Sequence, residues 1–299
     1  MYERLNVKLA LDLIANQTQD NTPMVAIGGD DETLEFVAHH YHTKAPTWVR
    51  IANTEQVKSY QWKSNTKDKI AGRINLKELK QTLSASKEKL VSIHLEGDTL
   101  NIKLGFMTKK MKLYSLYEGD DESWCNGSAK LANEEYYGTM VGSLDPKTLN
   151  WFKGALIGST ELTGNLWQCF KGLQLMKNNE TPIEITYYEE QLQMKWTKEN
   201  YEGQINDSMT AYFDVDELTK PWKSTTTQLP TGGSSELIYN LGRLGKGILS
   251  KGTMKMNIWE NALEFNLVIQ RTKQSARIHF RTFVPTNRSW KTKKRPSNT

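Results

Sequence analysis

The feature that most constrains this chain is a pattern it states twice. Residues 74–104 read INLKELKQTLSASKEKLVSIHLEGDTLNIKL, and residues 239–269 read YNLGRLGKGILSKGTMKMNIWENALEFNLVI. Each holds an Asn-Leu-x-x-Leu helix start (Asn75, Leu76, Leu79; Asn240, Leu241, Leu244) and a Ser-Lys exit. Two runs of alternating apolar residues follow, separated by a turn. Helical spacing followed by period-2 alternation predicts helix, strand, turn, strand. A match through every one of these parts predicts an internal duplication, and with it a fold that two similar halves can build together.

The rest of the chain extends the plan. The 299 residues leave room for two ordinary domains, each with its own core. Residues 4–17 carry Val7, Ala10, Leu11 and Ile14 on one helical face. Short alternating runs follow at 24–27, 33–38 and 47–51, with a turn at Asp30-Asp31. The first Asn-Leu helix spans 75–89, and strands run on towards Tyr117. Residues 118–142 are acidic, contain glycine and lack alternation, which predicts a connector. Asp145-Pro146 then offers an N-cap and first-turn proline for a helix over 145–157, with Leu149, Phe152 and Leu156 as its stripe. Strands are predicted at 167–175, 183–188, 191–197 and 211–215, and a polar loop at 220–235. The last helix covers 235–251, before strands at 254–259, 263–270 and 277–284. The reading is α+β, in two similar domains of two helix-plus-strands units each. Domain 1 is 1–117, the connector 118–142, domain 2 143–286, and a basic tail 287–299.

Charge is unevenly spread. The four helices so drawn carry +1, +2, +1 and +2, and the tail carries +5, while the whole chain is only +5. The strands and loops are therefore net acidic. On the last helix Leu237, Leu241, Leu244 and Ile248 share a side, with Arg243 and Lys246 opposite. An apolar stripe for a sheet and a cationic stripe outward suit a polyanion, bound through phosphates without base reading.

This plan resembles the DNA sliding clamps, the processivity-clamp family that includes bacteriophage clamps and proliferating cell nuclear antigen. The resemblance covers roughly residues 1–117 and 143–285 and is carried most strongly by AGRINLKELKQTLSASKEKLVSIHLEGDTLNIKLG and IYNLGRLGKGILSKGTMKMNIWENALEFNLVI. It implies a six-domain ring, hence a homotrimer, with helices lining the hole and sheets outside. Edge strands would pair between subunits. The ring would encircle double-stranded DNA, tether a DNA polymerase and be placed by a clamp loader. Lys8, Lys77, Lys80, Lys147, Lys153, Arg243 and Lys246 match the DNA-facing helix positions. Partner peptides would dock near Leu116, Tyr117, Trp124, Phe283 and Pro285. The chain is longer than usual two-domain clamps, the 220–235 loop and basic tail being additions.

Other constellations point elsewhere. His39, His40 and His42 form HHYH, where His40 and His42 share a strand face, but no Cys or carboxylate completes a metal site at sensible spacing. Gly242, Gly245 and Gly247 lie inside a helical run rather than in a phosphate-cradling turn, which predicts close packing. Asp30-Asp31 and Asp120-Asp121 read as solvated turns. No hydrolase, zinc-protease or phosphate-loop signature occurs, so neither enzyme nor cofactor is expected. Cys125 and Cys169 are too few for a disulfide framework. With no membrane-spanning run and no cleavage pattern, a cytoplasmic or nucleoid setting is expected. The alternative is a single-stranded-DNA binder whose strands present Trp259 and Phe265 for base stacking.

Overall fold

The structure, a computed structural model, describes residues 1–18, 24–29, 33–39, 46–52, 69–114, 156–163, 165–175, 183–188, 191–199, 201–215, 225–229, 233–249, 254–259, 262–270, 277–286 and 291–292. The predicted connector, Asp120-Asp121, Asp30-Asp31, His40 and His42 lie outside these residues.

The described elements occur in the same order twice. The first series is β1 (Tyr2–Glu3), α1 (Arg4–Thr18), β2 (Met24–Gly29), β3 (Thr33–His39), β4 (Pro46–Ala52), β5 (Lys69–Asn75), α2 (Leu76–Ser84), β6 (Leu90–Glu96), β7 (Thr99–Leu104) and β8 (Met107–Lys112). The second is β9 (Leu156–Thr163), α3 (Leu166–Gln174), β10 (Ile183–Tyr188), β11 (Gln191–Glu199), β12 (Ile205–Val215), β13 (Thr225–Leu229), α4 (Gly233–Leu241), β14 (Met254–Trp259), β15 (Ala262–Ile269) and β16 (Ile278–Pro285). A 3-10 turn (Gly242–Leu244) and a short α5 (Lys246–Leu249) extend α4. Pairing repeats as well. β1 pairs antiparallel with β6 as β9 does with β14. β2 pairs with β3 and β5 as β10 does with β11 and β13. The duplication is therefore one of strand order and pairing.

Two compact units result. Unit 1 is Met1–Leu149 with Val268–Arg281, and unit 2 is Asn150–Leu267 with Thr282–Thr299. In unit 1, α1 buries Val7, Leu11 and Ile14, and α2 buries Leu76, Leu79 and Leu83. Each such side chain contributes roughly 1.5–3 kcal/mol by leaving water. Their spacings, i, i+4, i+7 on α1 and i, i+3, i+7 on α2, put them on one face of each helix. Unit 2 centres on Phe170 of α3, whose ring lies 4.9 Å from Phe213 and 6.1 Å from Phe265, the latter edge-on.

Four expectations are corrected. Residues 167–175 form helix α3, not a strand, because Asn165 caps it by accepting a hydrogen bond from the Gln168 amide at 3.2 Å. Asn75 caps α2 through the Glu78 amide at 2.9 Å in the same way. Asn240, by contrast, is a buried residue near the end of α4, which begins at Gly233. So the true partner of Asn75 as a cap is Asn165. The predicted loop at 220–235 contains strand β13, which pairs with β10. The tail also contributes a strand, β17 (Lys291–Thr292), on the other edge of β13. Of the predicted helix at 145–157, the described part, Leu156 and Ile157, belongs to strand β9.

The glycines after α4 have a packing reason. A Cβ on Gly242 would stand 2.5 Å from the Phe170 carbonyl oxygen, so only glycine lets this turn meet the backbone of α3. Gly245 holds φ +83°, where a side chain is strained.

Candidate nucleic-acid interface

Each helix turns its apolar stripe inward, and its charged residues lie on the remaining surface. In unit 1, Lys77 is exposed on α2 and Lys8 is half-buried on α1. Lys80 is not free: its Nζ lies 2.6 Å from Asp12 of α1. Arg4 is also committed, donating from Nε to the Glu88 carbonyl at 2.6 Å and from a terminal nitrogen to Leu83 at 3.1 Å. The latter carbonyl belongs to the last turn of α2, where a cation complements the helix dipole.

In unit 2 the exposed cations are Lys171 on α3, Arg243 on the 3-10 turn and Lys246 on α5. Lys246 stands 5.8 Å from the Trp167 ring centroid, a cation–π distance. Lys171 donates to Gln174 at 2.6 Å. The sequence reading missed Lys171 because it placed this segment in a strand; the Asn165 cap was the signal for a helix. Lys147 and Lys153 lie outside the described residues.

Redrawn on the observed helices, the cationic bias is smaller than expected. The helical segments carry about one net positive charge each, whereas strand β8 (MTKKMK) alone carries Lys109, Lys110 and Lys112. Within each unit the exposed cations sit on helical segments. Such an arrangement can hold phosphates electrostatically and let them move, with no base-reading geometry.

Of the predicted peptide pocket, Leu116, Tyr117 and Trp124 lie outside the described residues. Phe283 is 1% exposed, and Pro285 ends β16. The single-strand platform loses its aromatic basis. Trp259 is buried and donates its indole N–H to Glu264 at 2.7 Å, and Phe265 is fully buried against Phe170.

Ser92 and His94 share a hydrogen bond of 2.7 Å on the outer face of β6. Glu96, two residues on, accepts from Asn101 at 3.0 Å, so that carboxylate is engaged across the strands. The group is an exposed polar cluster. Among the described residues, no three His, Cys, Asp or Glu side chains gather into a metal site. No described helix is long and apolar enough to cross a membrane.

No protein-family model and no curated protein matches this chain. Solved structures do. The PCNA of A. fulgidus, solved with the C-terminal region of FEN-1 bound to it, aligns with a TM-score of 0.58 at 10% identity. That match covers 96% of this chain and 98% of the other. PCNA from Thermococcus kodakaraensis aligns with a TM-score of 0.55 at 10% identity, over 94% of this chain and 96% of the other. The chain therefore has the α+β sliding-clamp fold.

Proposed function

We propose that this chain, built on the sliding-clamp fold, is a DNA polymerase processivity factor. Three copies form a ring around duplex DNA and tether replication proteins to it, as a scaffold rather than an enzyme. The observation that carries the reading is the duplicated strand order together with two edges that have no full partner among the described residues. In unit 1, β16 of the second series lies beside β4 of the first, and the Ala52 amide donates to the Arg277 carbonyl at 3.3 Å. The counterparts of these strands in the duplicated order are β8 and β12. β8 ends its four-stranded sheet, and β12 pairs with β11 but with β9 only at Asp214 and Val215. Two edges of one plan that lack a full partner among the described residues suit a head-to-tail ring.

The exposed helix cations support a sequence-independent DNA lining, with Lys77, Lys171, Arg243 and Lys246 as its chief residues. A peptide from a polymerase or loader would dock at the residues the family resemblance implies, Leu116, Tyr117, Trp124, Phe283 and Pro285. The FEN-1 segment on A. fulgidus PCNA supports docking of this kind.

The test is charge reversal. Replacing Lys77, Lys171, Arg243 and Lys246 by Glu should shorten polymerase products on primed circular templates by about tenfold or more, because lost phosphate contacts multiply. Circular dichroism and melting temperature should be unchanged, since these side chains lie outside the core. Unaltered processivity contradicts the assignment.

A further inference from the structure

The four-stranded sheet of unit 1 has two unlike faces. Val91, Ile93, Leu100, Ile102, Leu104 and Met111 line one of them and are buried. The strand registers put the alternate residues on the other face, in three rows across β6, β7 and β8. The rows are Ser92, Lys103 and Thr108; His94, Asn101 and Lys110; and Glu96, Thr99 and Lys112. Charge on this face is one-sided. Carboxylates stand on β6 (Glu96) and on β1, where Glu3 lies across from Leu90. Lysines stand on β7 and β8. Lys103, Lys110 and Lys112 are exposed, and among the described residues none of them is in an ion pair. Glu96 is turned aside, since it accepts from Asn101 at 3.0 Å. Lys109 belongs to the opposite face and is the one that reaches α2, 3.1 Å from Glu78. The outer face also has relief: Ser92, His94, Asn101, Lys103 and Thr108 line a shallow depression with Glu96 at its margin.

We propose that this lysine strip docks an acidic segment of a partner protein, held in extended form through its carboxylates. The strand geometry sets the period. Lys110 and Lys112 are two residues apart on β8, a separation of about 6.5–7 Å. Side chains on one face of an extended peptide repeat at the same distance. Carboxylates at alternate positions therefore meet Lys112, then Lys110, then Lys103, which stands across from Thr108 in the next row. There the Thr108 hydroxyl supplies a further donor to the same carboxylate. Each exposed pair adds little, so the three must act together, and the affinity falls as salt rises. A nucleic acid fits the strip less well. Its phosphates run on in both directions, and Glu96 and Glu3 repel them beyond a strip two strands wide. The strip lies on one sheet of one chain, so it forms whether or not copies close into a ring. It is also separate from the helix cations, because the face that meets α2 is the other one.

A fluorescein-labelled peptide of alternating glutamate and threonine, added to the full chain and followed by anisotropy, tests the strip. Saturable binding is expected at low salt, weakening about tenfold or more as the ionic strength is raised from about 0.05 M to about 0.5 M. Lys103→Glu, Lys110→Glu and Lys112→Glu together should weaken it about tenfold or more at low salt, with an unchanged circular dichroism spectrum. If the reversed set does not fold, the same three positions changed to Gln should still weaken binding about threefold or more. Lys171→Glu with Lys246→Glu, on the helical segments of unit 2, should leave peptide binding unchanged. Absence of binding to the wild type overturns the proposal. So does equal binding by a folded strip variant, or a loss that follows the helix pair instead. A single-stranded oligonucleotide of the same charge that displaces the peptide at lower concentration, and depends on the same three lysines, assigns the strip to nucleic acid and also overturns it.

Discussion

Arg50→Ala should destabilise the protein by about 3–5 kcal/mol, the usual cost of leaving one member of a buried ion pair alone. Arg50 and Glu35 are 1% exposed, face each other from β4 and β3, and are in direct contact. Trp48 adds an indole N–H donated to the second Glu35 oxygen at 3.4 Å, and the Arg50 guanidinium lies 5.3 Å from the centre of its ring. Without Arg50 the carboxylate stays in the core with the indole as its remaining described donor. The double variant Glu35→Gln with Arg50→Met should recover most of the loss, because it removes both charges and keeps the volume. Urea unfolding of both variants measures the difference. A single variant within about 1 kcal/mol of wild type contradicts the role of the pair.

The second large effect is on pH. His279 on β16 has its pKa pushed down to about 3, mainly by burial and further by the positive charges of Arg50 and Arg277. Its imidazole is therefore neutral in the folded state through the ordinary range. In the unfolded chain it titrates near 6.5. Below that value the unfolded state binds a proton the folded state does not, so acid favours unfolding. Stability from this group is complete above about pH 6.5 and falls by about 1.4 kcal/mol per unit as pH drops towards 3. His279→Phe should flatten that part of the stability profile between about pH 6.5 and 5, above the range where carboxylates titrate. An equally steep fall in the variant contradicts this origin. Because Arg50 contributes to the shift, the Arg50→Ala and His279→Phe effects should not add.

How much of this was legible depended on whether a segment buries one face. α1 and the strands at 24–29, 33–39, 183–188 and 254–259 were read nearly to their ends, because their apolar residues recur at the period of the element, whereas α2 was placed at its start but ends at Ser84, five residues before the expected Lys89. The start of β12, at Ile205, was missed. Its first half is polar and exposed, as an open edge is, so no alternation marks it. β13 (TTTQL) was read as loop for a similar reason: its β-branched threonines favour a strand but its pattern does not show a buried face. In α3 the apolar positions Leu166, Phe170 and Leu173 have helical spacing, but Trp167 and Phe170 are residue types enriched in strands, so composition and spacing point different ways.

The same limits applied to the candidate interface. Arg243 and Lys246 were found because they oppose a leucine stripe. Lys171 was lost with its helix. That Lys80 is held by Asp12 could not be seen, since α1 and α2 meet only in the folded chain. The duplicated Asn-Leu motif pointed to the right architecture through its strands, while its second asparagine lies inside a helix broken at Gly242 and Gly245.

The central claim is that copies of this chain close into a ring that surrounds DNA. Negative-stain imaging of the purified protein at low ionic strength tests it most directly. The account predicts closed rings of three chains, each of 34.3 kDa, with six similar lobes and a central hole wide enough for duplex DNA. Isolated monomers at about micromolar concentration, where specific protein complexes ordinarily assemble, or open strings of copies, would contradict it.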